Sequence, residues 1–188
     1  MPGHALLRFK TSLPNTGLGE FFLRSTNVES GDGRFTVDQR IKREDGSIVS
    51  RDAGEFLYNP VNQHMEAAGW TSYLLREITE GDGVGAIVAE GAKESVRITS
   101  SRIHNANLPN FVPFPNQINA SGGIHGISVG WTDIYSKDLE KQWIDVTGVP
   151  AGEYWLEAVV DPANHILEES ETNNTARIRY TLVDTGTK

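Results

Sequence analysis

The chain has 188 residues, 38% of them hydrophobic and 22% charged, a formal charge of −8, and no cysteine. Such a length and balance predict one soluble domain with its own core, and the acidic balance argues against a nucleic-acid surface, which needs clustered Lys and Arg. Disulfides, thiolate ligands and cysteine nucleophiles are excluded. The opening MPGHALLRF shows neither a basic nor an apolar leader region. No stretch nears the roughly 18 apolar residues of a membrane span, so no signal peptide or span is expected and the location stays open.

In chain order, period-two alternation marks 5-ALLRFKTSL-13, 20-EFFLRS-25, 35-FTVDQRIKR-43, 72-SYLLREI-78, 86-AIVAEG-91, 94-ESVRITS-100, 153-EYWLEAVVD-161 and 176-ARIRYTLV-183 as strands. In the last, Ala176, Ile178, Tyr180 and Leu182 are expected to face a core, with Arg177, Arg179 and Thr181 turned away. Turn signals separate these runs: Pro14-Asn15, Gly31-Asp32-Gly33, Asp45-Gly46, Gly81-Asp82-Gly83 and Pro150-Ala151-Gly152. Asp45-Gly46 reads as a hairpin with a type I′ turn, which needs positive φ at both central residues. Helical periodicity is limited to a turn or two within residues 61–68. The fold expected is all-β, an antiparallel sandwich in a single domain with long loops and little helix. The longest loop is 104-HNANLPNFVPFPNQINASGGIHG-126, and loops of that length are often functional.

Two places could hold a metal. In 62-NQHME-66, an extended backbone would put Asn62, His64 and Glu66 on one side, since residues two apart share a strand face. An imidazole and a carboxylate suit a divalent transition metal, although a solvated polar edge has the same composition. No second histidine stands at metal-pair spacing from His64. The segment 161-DPANHILEESETNN-174 concentrates oxygen donors, as a hard cation such as calcium requires and as an ordinary solvated turn also does. By pattern alone, Lys93 is a surface lysine and Tyr135 a half-buried sheet tyrosine. Asn119-Ala-Ser121 and Asn173-Asn-Thr175 match the glycosylation sequon.

Four segments, taken in order, resemble the lysyl oxidase family: 7-LRFKTSLPNTGLGEF-21, 88-VAEGAKESV-96, 126-GISVGWTDIY-135 and 142-QWIDVTGVPAGEYWLEAVVDPANHILEESETNN-174. The resemblance covers about residues 5–183. It implies an oxidative deaminase of primary amines that uses copper and a lysine tyrosylquinone built from its own side chains. Lys93 and Tyr135 match the quinone pair. Asp133 matches the proton-abstracting aspartate. Glu168, Asn173 and Asn174 match calcium ligands, with Ser170 where an aspartate is usual. The family's copper segment has the form H-x-H-x-H, and its three ligand positions here hold Asn62, His64 and Glu66. Copper(II) prefers nitrogen donors, so this replacement predicts binding weaker by orders of magnitude.

The expected function is therefore a lysyl-oxidase-like domain without copper amine oxidase activity, a binding or structural module with a protein partner or a place in a larger assembly. The alternative is a divergent copper-dependent amine oxidase in which His125 or His104, from the long loop, supplements His64 and Glu66. A third reading is a hydrolase or isomerase using Asp133 and Glu66, which rests on nothing more than the presence of those acids.

Overall fold

The structure is a computed structural model and describes residues 3–91, 93, 95–115 and 118–184. Fifteen strands follow in order: β1 (Leu6–Arg8), β2 (Thr11–Pro14), β3 (Phe21–Gly31), β4 (Arg34–Lys42), β5 (Ile48–Asn59), β6 (His64–Ala68), β7 (Thr71–Thr79), β8 (Gly83–Glu90), β9 (Ser95–Val96), β10 (Arg102–Ile103), β11 (Ile124–Ile127), β12 (Trp131–Tyr135), β13 (Trp143–Asp145), β14 (Gly152–Val160) and β15 (Thr175–Leu182). Among the described residues the helices are two three-residue 3-10 turns, Glu80–Asp82 and Ala120–Gly122. The all-β sandwich expected from the alternation is what forms.

Every ladder is antiparallel. A six-stranded sheet runs β11-β3-β4-β5-β6-β9 and a four-stranded sheet β15-β14-β7-β8; β10-β12-β2 and β1-β13 form smaller sheets. The six-stranded sheet turns Leu23, Val37, Phe56, Met65 and Val96 onto Leu13 and Tyr135 of the three-stranded one. The four-stranded sheet turns Tyr73, Leu75, Leu156 and Leu182 onto Leu7 and Ile144 of the β1-β13 pair. β6 and β7 are nearly one strand, interrupted by Gly69 at φ 63 and by Trp70, which stacks on Phe21 with centroids 5.0 Å apart.

Three local expectations are corrected. Residues 64–68 are strand rather than helical turn, because β6 has ladder partners on both sides in β5 and β9. At Asp45-Gly46 the hairpin forms, but only Gly46 has positive φ (82°); Gly46 N donates to Arg43 O and Arg43 N to Ser47 O, which is a three-residue loop. The two-residue turn with positive φ at both centres lies instead at Asp32-Gly33 (51° and 72°), joining β3 to β4. In β15, Leu182 is buried and Tyr180 half-buried as expected, while Ala176 and Ile178 are exposed and lie outside the second core, which takes in only Tyr180 and Leu182 of this strand.

Candidate functional site

The 62–66 segment is not a continuous strand. Asn59, at the end of β5, accepts through Oδ1 from the N–H groups of Val61 (3.0 Å) and Asn62 (3.2 Å). That Asx turn, with Gln63 at φ 54, lifts residues 60–63 out of the sheet. Asn62 is therefore at the surface rather than on the strand face with His64 and Glu66, and it offers His64 Nδ1 only its carbonyl, at 3.1 Å. His64 and Glu66 do share a face, with Nε2 3.1 Å from Oε1. Glu66 also accepts from Asn59 Nδ2 at 3.0 Å and from Ser95 Oγ at 2.5 Å. Burial pushes its carboxyl up, but the hydrogen bonds from Ser95 and Asn59 and the charges of His64 and Lys93 outweigh this and leave it below its ordinary value.

Asn59 and Ser95 were not singled out from the sequence. Ser95 reaches Glu66 because β9 pairs with β6, a long-range register that no local pattern reports.

Lys93 lies between β8 and β9, half-buried, with Nζ donating to the Glu140 carbonyl at 3.1 Å. Burial holds its ammonium below the usual lysine value, against the raising charges of Glu66 and Glu140. Asp133 and Tyr135 share a face of β12, and both are buried. Asp133 Oδ2 accepts from Tyr135 Oη (2.6 Å) and Thr99 N (3.1 Å), and Oδ1 from Ser101 Oγ and Ile134 N (2.8 Å each). Burial nonetheless raises Asp133. Burial and the Asp133 charge raise the Tyr135 phenol well above its ordinary value, so it stays a donor. The structure thus joins Tyr135 to Asp133 and His64 to Glu66, and brings the Lys93 charge to bear on Glu66. The Lys93 ammonium and the Tyr135 phenol are directed at different partners, Glu140 and Asp133.

Two glycines set up this region. Gly126 passes so close to β3 that a Cβ would meet the Phe21 carbonyl at 2.5 Å. Gly130, at φ 81, turns the chain into β12 and leaves room for the Phe111 ring.

The long loop supplies no histidine to His64. His125 belongs to β11 and is fully buried; its Nδ1 accepts from Ile98 N at 3.0 Å and its ring packs 4.4 Å from Phe56. Its Nε2 side lies near the Met65 carbonyl without a hydrogen bond. Burial pushes its imidazole down to about 4, so it is neutral. His104 is exposed, its backbone N–H bound to the Gly130 carbonyl. The loop does touch the segment elsewhere, where Ser121 Oγ donates to the Gln63 carbonyl at 3.1 Å.

The oxygen-rich loop is tied down by the protein itself. Asp161 accepts from His165 N (2.9 Å) and Ile166 N (2.7 Å), and Gln39 clamps Leu167 by donating to its carbonyl and accepting from its N–H, both at 2.9 Å. The sequence signal for Gln39 is an amide in the buried parity of β4, two residues from Val37. Glu168 is half-buried, 3.4 Å from Asn174 Nδ2. Burial and the charges of Glu171 and Asp161 raise it to about 7. Asn173 is exposed. Among the described residues, no group of three or more His, Cys, Asp or Glu side chains is placed to hold a metal ion.

Comparison with known sequences decides the family, since a profile of lysyl oxidase matches residues 62–187. The chain belongs to the lysyl oxidase family. It is 36% identical to lysyl oxidase homolog 1 of Homo sapiens over 149 residues, which is 76% of this chain and 24% of that protein. Identity is 33% to lysyl oxidase homolog 2 of Xenopus laevis and 36% to lysyl oxidase homolog 4 of Mus musculus, each over 95 residues, 50% of this chain and 12% of the relative. The matches thus span a quarter or less of these curated relatives. The family depends in general on copper and lysine tyrosylquinone and acts on amine substrates. No helix among the described residues is long and apolar enough to cross a membrane.

Proposed function

We propose that this chain is a lysyl oxidase family domain that serves as a binding or structural module and does not turn over primary amines. The observation that carries this reading is the closed hydrogen-bond set around Glu66. His64 Nδ1 faces the Asn62 carbonyl and Nε2 faces Glu66 Oε1, so a metal on Nε2 would have to displace the contact with Glu66. Glu66 already accepts from Asn59 and Ser95, and Asn62 offers an amide oxygen that copper(II) does not favour. One imidazole in place of three does not fit a copper centre. The reading predicts sub-stoichiometric copper after metal loading, separate Lys93 and Tyr135 peptides in a mass map of air-exposed protein, and no peroxide from diamines or lysine peptides. A Lys93–Tyr135 cross-linked peptide, or peroxide release that His64→Ala abolishes, would overturn it.

The second reading, a divergent copper-dependent amine oxidase carrying lysine tyrosylquinone, is favoured by the 2.6 Å contact between Asp133 and Tyr135 and, separately, by a half-buried Lys93 whose ammonium is held below its usual value. There Asp133 would be the base and Lys93 with Tyr135 the quinone pair. For the loop, we propose calcium on Glu168, Asn173 and Asn174, supported by the half-buried carboxyl that Glu171 and Asp161 crowd with negative charge.

A further inference from the structure

β15 ends the four-stranded sheet. It pairs with β14 along eight residues without a register shift and has no partner strand on its other side among the described residues. The remaining sheet ends are strands of two to four residues or, in β8, a strand whose ladder shifts register twice. Shortness, bulges, proline and outward charge are the usual protections of an open edge. β15 is long, regular and free of proline, and its arginines are drawn back over the sheet: Arg177 to Glu157, and Arg179 to Asp82, Glu153 and the Trp155 ring.

The parity of the edge follows from one bond. Val160 N donates to Asn174 O at 2.8 Å, so the even-numbered residues of β15 bond to β14 and the backbone groups of Thr175, Arg177, Arg179 and Thr181 point outward. On one face the second core runs out at Ile178, which is 60% exposed although Leu156 opposite it is buried. On the other face both guanidinium groups remain partly open to solvent.

We propose that β15 is a strand-addition edge for an extended protein segment that alternates acidic with apolar residues. β14 already shows the complement, with Glu157 opposite Arg177 and Leu156 opposite Ile178. A second copy of this chain is disfavoured in the registers centred on the middle of the strand. Two-fold antiparallel pairing centred on Ile178 sets Arg177 against Arg179, and centring on either arginine sets it against itself; like charges directly opposed destabilise a sheet. The added strand gains backbone bonds from the four outward residues, an apolar contact over Ile178 and a carboxylate beside Arg177, whose partner Glu157 is shared with Arg76.

The test is fluorescence anisotropy of the whole chain with a labelled, end-capped peptide, Ser-Glu-Val-Glu-Val-Glu-Ser, and with the same peptide carrying lysine for glutamate. Saturable binding of the glutamate peptide is expected, with the lysine peptide weaker by about tenfold or more. Thr181→Pro removes an outward N–H without touching the β14 ladder, and Ile178→Asp removes the apolar contact. Each variant should weaken binding by about tenfold with native circular dichroism retained. No binding of the glutamate peptide, equal binding of both peptides, or unchanged binding by whichever variant folds overturns the proposal. So does a sedimenting dimer that Thr181→Pro dissociates, because a second copy would then be the occupant.

Discussion

Replacing Glu168 by Gln should stabilise the metal-free protein above neutral pH and leave it unchanged below about pH 4.5. In the folded chain this carboxyl is raised to about 7 by burial and by the charges of Glu171 and Asp161. The folded state therefore holds the proton more tightly than the unfolded state. The stabilisation this gives is fully present below about 4.5 and is lost as pH rises through about 7. The full difference would be worth about 3 kcal/mol. Half of the group is in water, however, and screening reduces the realistic share to about 1 kcal/mol. In a protein of this size that is a gain of about 2–4 °C in Tm for E168Q at pH 8. Thermal melts in chelator from about pH 4 to 8 should show the wild-type and E168Q midpoints together at the acid end and parting as pH rises. Adding millimolar calcium at pH 8 should raise the wild type more than E168Q. Parallel curves across the whole range would refute the crowded-carboxylate account and remove the main support for calcium in this loop.

Gln39→Leu strips both partners from the Leu167 backbone and should cost about 2–3 kcal/mol, with hydrogen exchange at the Leu167 amide faster by about tenfold; unchanged protection would mean that the clamp does not hold the loop. Glu157 is 2% exposed and bonded to both Arg76 and Arg177. Glu157→Leu should lower stability by about 3 kcal/mol in urea melts, because it strands two guanidinium groups; a loss below about 1 kcal/mol would show that the arginines find other partners.

What could be read in advance follows the range of the physics involved. β7, β8, β14 and β15 are legible because alternation and flanking turn residues are local facts. The pairing of Ser95 with Glu66 is not, since β9 is two residues long and takes its place only when β6 is there to receive it. The β6 segment misled because 61-VNQHMEAA-68 contains good helix formers, and tertiary pairing overrides propensity. His125 sits in Gly-rich sequence and reads as loop, yet its ring fills a space beside Phe56. Its one strong hydrogen bond comes from Ile98, 27 residues away. Asp133 and Tyr135, two apart in sequence, share a face of β12, a strand that the alternation did not mark. The four donors that converge on Asp133 come partly from residues 99 and 101, outside any local pattern.

The hydrogen bonds around Glu66 also bear on descent. If the ancestor carried three imidazoles here, the path back is obstructed by stability as well as by distance in sequence. Glu66→His alone would leave Ser95 Oγ and Asn59 Nδ2 without their acceptor before any metal could compensate. Asn62 would also have to leave an Asx turn that depends on Asn59. No single reversal restores the full ligand set, and the one at Glu66 strands two donors. On that supposition, a carboxylate in place of an imidazole at this position would act as a ratchet, because its neighbours now hold it in place.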